Sequence, residues 1–318
     1  MNPVYLDTAR LLTQVAPLVF VDDTFALKGG TAINLFMRDM PRLSVDLDLV
    51  FPDYTLAREE ALARINEAVR QAAERLKKRG FQTHAPVAAA GETRLLVRRG
   101  SVQVKIEVNF VMRGTVRPVR QTSLTPSARD VLMADLEIPV VSLEDMYGGK
   151  LVAALDRQHP RDLFDVMQLF AHEGVTPGIR RAFVVYLACS NRPVHEVLFP
   201  PLRDIRFDHE HSFQGMTAEP VPLEALLAAR ERLVWEIQHG LQDDERRFLL
   251  SLVAGTPEWA LLGVGHLEHL PGVRWKLQNL AQLRKNNAKT FAEQAEVLAA
   301  RLAAVASSDS APPSWRKA

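Results

Sequence analysis

Cysteine is nearly absent: Cys189 is the only one in 318 residues. An internal disulfide and a thiolate metal cluster are therefore excluded, and a reducing, cytoplasmic setting is expected. Cys189 lies in the apolar run Phe183–Cys189, where a buried structural thiol is the natural reading. No apolar run is long enough to span a bilayer, so no membrane association is expected. The start MNPVYLDTAR lacks the basic residues and apolar stretch of a secretory signal. An excess of one charge is missing too. Lys and Arg number 39 against 38 Asp and Glu, a net charge of +1, which argues against coating nucleic acid while leaving room for a local basic surface. No Gly-x-Gly-x-x-Gly strand or His-Arg-Asp loop is present, which argues against a kinase. His195, His209 and His211, and separately His266 and His269, follow no zinc-site spacing and read as loop histidines.

What is present is ordinary for a globular protein: 47% hydrophobic and 24% charged residues over a length that fits two domains. The composition turns helical in the second half. The expected division is 1–140 for a small mixed sheet with flanking helices, 141–305 for a mainly helical C-terminal lobe, and 306–318 for a polar, disordered tail. The fold class is α+β.

The stretch Leu27–Phe51, LKGGTAINLFMRDMPRLSVDLDLVF, carries the chemistry. Gly29-Gly30-Thr31 opens a short helical run, Ala32–Met37. After a turn, Ser44–Phe51 alternates as a half-buried strand. Asp46 and Asp48 then share one face, their Cα atoms roughly 7 Å apart at about 3.3 Å per residue. Two such carboxylates can converge on one divalent cation or on a pair of them. The Gly-Gly-Thr turn lets backbone amides approach a phosphate. Taken singly, the glycines are an ordinary turn and the aspartates an ordinary solvated face. In sequence they describe a phosphate cradle beside a metal-ligand pair, the chemistry of nucleotidyl transfer.

The rest of the chain adds to this. Pro3–Val19 reads as an apolar helix broken at Pro17, and Leu56–Arg79 as an amphipathic helix closed by Gly80. Phe81–Val87, Thr93–Arg99 and Val102–Val111 read as strands. In the last, Glu107 lies on the polar face and completes a carboxylate triad with Asp46 and Asp48 if this strand pairs beside theirs. Oxygen ligands without His or Cys suit Mg²⁺. Arg94, Arg98, Arg99, Lys105, Arg113, Arg117 and Arg120 crowd one segment, either a solvated face or a phosphate-binding surface. Ser142 caps a helix over Leu143–Arg157 that contains Gly148-Gly149-Lys150. Two glycines inside a helix cost about 1 kcal/mol each relative to alanine, which points to close approach of a backbone or a nucleotide. Lys150 is either a surface lysine or a point charge for a triphosphate. Pro160 opens the next helix, where Arg161 and Asp165 stand one turn apart: an i,i+4 pair, or an aspartate that orients Lys150 or a substrate hydroxyl. Helices at Pro177–Cys189, Leu223–Leu241, Asp243–Ala254 and Gln294–Val305 follow.

GGTAINLF, RLSVDLDLVF, VKIEVNF, GGKLVAALDRQHPRDLFDV and GVRWKLQNL together resemble the AbiEii/AbiGii-type nucleotidyltransferase toxins, over about residues 20–300. Those proteins belong to the DNA polymerase beta-like nucleotidyltransferase superfamily. The resemblance implies a nucleotidyltransferase-type sheet, and a toxin of a toxin–antitoxin or phage-defence system that adds nucleotides from NTP to RNA. It implies the 3′ end of tRNA as the acceptor, with translation blocked by the transfer. It implies Asp46 and Asp48 as Mg²⁺ ligands, with Glu107 as a less secure third, Lys150 and Asp165 as catalytic residues, and Gly29, Gly30, Thr31 and Lys150 at the nucleotide. A cognate antitoxin is the expected protein partner. The rivals are an enzyme of the same fold that modifies a protein or small molecule, and a non-catalytic antitoxin- or RNA-binding protein.

Overall fold

Helix α1 (Pro3–Val19) opens the chain in the computed structural model, which describes residues 2–85 and 92–307. The Asn2 side chain caps it, and Leu11, Leu12, Val15 and Ala16 form its buried stripe. The break expected at Pro17 does not occur. The helix runs on to Val19, because a proline two residues from the end disturbs only a turn that is already closing. Strand β1 (Ala26–Lys28) leads into α2 (Gly29–Ala32), which widens into one π-helical turn over Ile33–Met37. The glycines expected to precede this helix therefore form its first turn.

Strand β2 (Asp46–Val50) is followed by α3 (Arg58–Lys78). Glu59 and Glu60 in its first turn and Arg75, Lys77 and Lys78 in its last complement the helix dipole, and Gly80 leaves it at φ 81°. Then come β3 (Gln82–His84), β4 (Glu92–Arg99) and β5 (Val102–Asn109). Residues 86 and 87 of the expected strand Phe81–Val87 lie outside the described residues. Strand β6 (Arg120–Ser123) and helix α4 (Pro126–Leu132), not read from the sequence, precede β7 (Glu137–Val140). Nor were the helices over Val194–Leu198 and Arg206–Ser212 read from it; they carry His195, His209 and His211, which were expected as loop residues. The RQTS of β6 has no apolar alternation because it is an edge strand with mostly exposed residues.

The second half is helical: α5 (Leu143–Arg157), α6 (Pro160–Ala171), α7 (Pro177–Ala188), α8 (Val194–Leu198), α9 (Arg206–Ser212), α10 (Leu223–Gly240), α11 (Asp243–Val253), α12 (Pro271–Asn286) and α13 (Ala288–Ser307). Ser142, His159 and Thr176 cap α5, α6 and α7 by accepting backbone hydrogen bonds, and Pro160 and Pro177 occupy the first helical positions. Helix α13 includes residues 306 and 307 of the expected tail; 308–318 lie outside the described residues.

The strands form one mixed sheet in the order β3-β4-β5-β2-β1-β7-β6. Pairs β2–β5 and β1–β7 are parallel, and the others antiparallel. The register aligns Lys28, Asp48 and Glu107 in one row and Asp46 with Lys105 in the row beside it, all on one face. The other face buries Leu27, Leu47, Leu49, Ile106 and Val108 beneath α1 and α3. One contiguous set of buried apolar side chains runs from α1 to α13. The architecture is the expected α+β one.

Candidate active site

The polar face of β2 opens on a cleft of about 670 Å³ between the sheet and helices α5 and α6. Asp46 and Asp48 line it together with Lys105 and Glu107 of the adjacent parallel strand β5. Asp48 makes no ion pair among the described residues, and the one partner of Asp46 is Lys105, at 3.9 Å. Burial, with Asp48 and Glu107 adding to it against the pull of Lys105, raises the Asp46 pKa. Burial works against the Lys105 charge, but its bond to Glu107 and the field of Asp46 outweigh that and raise its pKa.

Gly29 and Gly30 line the same cleft. Gly29 has φ 77°, and a Cβ there would stand 2.3 Å from Oδ2 of Asp48. Both the backbone and the carboxylate therefore require glycine. A Cβ on Gly30 would meet Nη2 of Arg42 at 2.8 Å. Thr31 has a different task. Its hydroxyl is turned from the cleft to the Asp46 carbonyl and the Ser44 hydroxyl, tying the start of α2 to the edge of β2.

Beneath the glycines lies a buried charge network. Nε and Nη2 of Arg42 donate to the two carboxylate oxygens of Asp165 at 2.8 and 2.6 Å. Lys150 Nζ stands 2.8 Å from Asp162 and 3.0 Å from Asp165, and Arg157 also holds Asp162. Burial alone would raise the Asp165 pKa, but Arg42 and Lys150 outweigh it and hold the carboxyl below its ordinary range. Lys150 is raised in turn, because Asp162 and Asp165 overcome its desolvation.

The structure gathers Gly29, Gly30, Asp46, Asp48, Glu107 and Lys150 around one cleft. Asp165 is fully buried and lies behind it; the i,i+4 pair with Arg161 is not formed, and Arg161 faces the cleft. Glu107 is engaged by Arg94 at 2.7 Å and Lys105 at 2.9 Å. Among the described residues, no three His, Cys, Asp or Glu side chains stand together as a metal-binding group. The donor set free for a cation is the Asp46–Asp48 pair. That fits Mg²⁺, which is commonly held by one or two carboxylates, with phosphates and water completing its shell.

Gly148 explains half of the helical glycine pair: a Cβ there would lie 2.8 Å from the backbone of Ala182, so α5 and α7 touch at that point. Gly149 lines the cleft. The basic run does not form one surface, since Arg94 and Arg98 lie on β4 and Arg120 on β6, at opposite ends of the sheet. Sequence reading passed over Arg42, Lys28 and Asp162. Asp162 stands between Arg161 and Asp165, the pair already singled out, whereas Arg42 gives no sign of its importance until α6 is folded against it.

The model of the family described as nucleotidyl transferase AbiEii toxin, type IV toxin–antitoxin system, matches residues 10–279. No curated protein matches the chain. Among solved structures, MenT4, a nucleotidyltransferase toxin from Mycobacterium tuberculosis H37Rv, is similar in fold, with a TM-score of 0.56 and 20% identity, over 86% of this chain and 94% of that one. The chain belongs to the AbiEii family, and is a nucleotidyltransferase toxin of a type IV toxin–antitoxin system.

Proposed function

We propose that this toxin transfers a nucleotide from an NTP to the 3′-hydroxyl of an RNA, the acceptor end of tRNA, and thereby blocks translation in the cytoplasm. A cognate antitoxin would restrain it. The observation that supports this reading is that Asp46 and Asp48, without an arginine ion pair among the described residues, open on the same cleft as the Gly29–Gly30 turn.

Asp46 and Asp48 would hold Mg²⁺, with Glu107 joining them once released from Lys105 and Arg94. When bound, the metal supplies Lewis-acid stabilisation of phosphoryl charge and activation of the acceptor hydroxyl. The backbone of Gly29, Gly30 and Thr31 would receive phosphates. In the transfer, the 3′-hydroxyl gives its proton to solvent, its oxygen bonds to the α-phosphorus, the bond from that phosphorus to the α–β bridging oxygen breaks, and pyrophosphate leaves. Lys150, with Arg157 and Arg161 beside it in the cleft wall, would offset the triphosphate charge. Asp165 would act through others, holding Lys150 and Arg42 in place. In this reading 1–140 carries the metal and 141–305 closes the other side of the site.

The test is incubation of the purified chain with total tRNA and each of the four labelled NTPs. One NTP should label RNA, EDTA should stop the labelling, and the Asp48→Ala variant should be silent. Label on protein or small hydroxyl acceptors in place of RNA would overturn the acceptor. Absence of Mg²⁺-dependent NTP binding by calorimetry would overturn the metal–nucleotide site.

A further inference from the structure

The loop joining β5 to β6 leads out of the cleft to a second concavity. Met112 lines the cleft, while Val116 and Arg117 line a separate cavity of about 160 Å³, whose other walls are Arg181, His266 and the glycines 178, 263 and 265. The two concavities share a support. Asp145, in the cleft wall, accepts hydrogen bonds from the Val116 and Arg117 amides at 2.6 and 2.9 Å.

Among the described residues, the second cavity has two arginines and no Asp or Glu in its lining. Arg181 Nε is buried without a hydrogen-bond partner among the described residues, and the ion pair from its Nη2 to Asp244 is long, at 3.6 Å. Gly178 is the second residue of α7. As a first-turn residue it has no intrahelical acceptor for its amide, the Thr176 hydroxyl serves Ile179, and the Glu144 side chain lies against this glycine, outside the cavity lining. His266 donates from Nε2 to the Thr115 carbonyl at 2.8 Å and stacks on Tyr54, which fixes the imidazole in the wall.

Between cleft and cavity sits Arg113, 6% exposed, with Nε and Nη1 lacking partners among the described residues. The charged neighbour acting on it is another cation, Arg58. A buried charge without a counter-ion is costly. The void beside Arg113 is about 20 Å³, room for a water and not for a phosphate. Arg113 therefore adds positive field to the surface, not a contact.

We infer that the cavity formed by Val116, Arg117, Arg181 and His266 is a phosphoryl-binding subsite that takes a backbone phosphate of the acceptor strand, apart from the nucleotide cleft. This rests on the RNA-acceptor reading: a strand whose 3′ end lies in the cleft leaves past one of its walls, and beside that wall stand Arg117 and an Arg181 whose Nε has no acceptor among the described residues. Guanidinium forks suit a phosphodiester.

Anisotropy of labelled tRNA with the full chain, at several salt concentrations, tests it. The Arg117→Glu/Arg181→Gln variant should bind tRNA on the order of tenfold more weakly, with the salt slope smaller by roughly 0.7–0.9, as for the loss of one phosphate contact. Its Mg²⁺-dependent NTP binding should be unchanged, and its KM for RNA should rise with kcat retained. Arg117→Lys should keep wild-type affinity. If the double variant melts early, Arg117→Glu alone, at an exposed position, carries the test. Unchanged tRNA affinity in the charge-reversed chain overturns the inference. So does competition by inorganic phosphate without effect on tRNA, which marks a free-anion site, or preferential loss of polyglutamate binding, which marks an acidic protein partner. Failure of the wild-type chain to bind or label any RNA overturns the acceptor reading itself, and needs no variant to detect.

Discussion

Arg42, in the turn before β2, and Asp165, on α6, meet through two parallel hydrogen bonds of 2.8 and 2.6 Å, with their side chains 3% and 0% exposed. This pair locks the sheet to the helical half directly beneath the Gly30 backbone. Removal of one partner leaves a buried charge uncompensated. Asp165→Ala should therefore cost about 3–5 kcal/mol in urea denaturation. Arg42→Lys keeps the charge but loses the fork, and should lower transfer more than it lowers stability. Equal losses in both would assign Arg42 to folding alone.

Two glycines should fail in different ways. Gly148→Ala pushes a methyl into the Ala182 backbone at 2.8 Å and should cost about 1–3 kcal/mol of stability. Gly29→Ala meets the Asp48 carboxylate instead, a movable side chain in the cleft, at a φ of 77°. Its loss of transfer should far exceed its shift in melting temperature. Thermal melts beside single-turnover assays separate the two.

The carboxylates should rank by their freedom. Asp46→Ala and Asp48→Ala should reduce transfer to background with the fold retained. Glu107→Gln disturbs a side chain already held by Lys105 and Arg94, and should cost roughly 10–100-fold in apparent Mg²⁺ affinity or rate. A magnesium titration of each variant reads this directly. A Glu107→Gln chain as dead as Asp48→Ala would make Glu107 a full ligand.

Acid should loosen the joint between the halves. Asp162 and Asp165 both have folded-state pKa values below the ordinary carboxylate value: burial raises them, but Lys150 and Arg157 at Asp162, and Arg42 and Lys150 at Asp165, outweigh it. Their stabilisation is fully present above the unfolded value of about 3.9 and is lost as pH falls through the depressed folded values. Asp162→Asn should thus flatten the fall in stability below pH 4, measured by denaturant midpoints against pH, while lowering stability at neutral pH.

Local residue pattern was enough to read β2, the polar face of β5 and the helix Leu143–Arg157 with its Ser142 cap, because period-two alternation and capping depend on neighbours in the chain. The pairing of β2 with β5 was foreseeable only as a condition on where two strands meet. Edge strand β6 lacked the alternation that burial imposes. The continuation of α1 past Pro17 depended on where the turn ended.

By itself, then, the sequence determined that two aspartates share a strand face just after a glycine turn, and that the chain is an AbiEii-type nucleotidyltransferase. Tertiary structure alone decided that Asp165 lies behind the cleft, clasped by Arg42 from 123 residues away, that the Thr31 hydroxyl serves β2, and that Glu107 is paired with cations. The physical reason is range. Backbone periodicity is written in adjacent residues, whereas the partner of a buried charge is whichever opposite charge the packing of distant segments brings within hydrogen-bond reach.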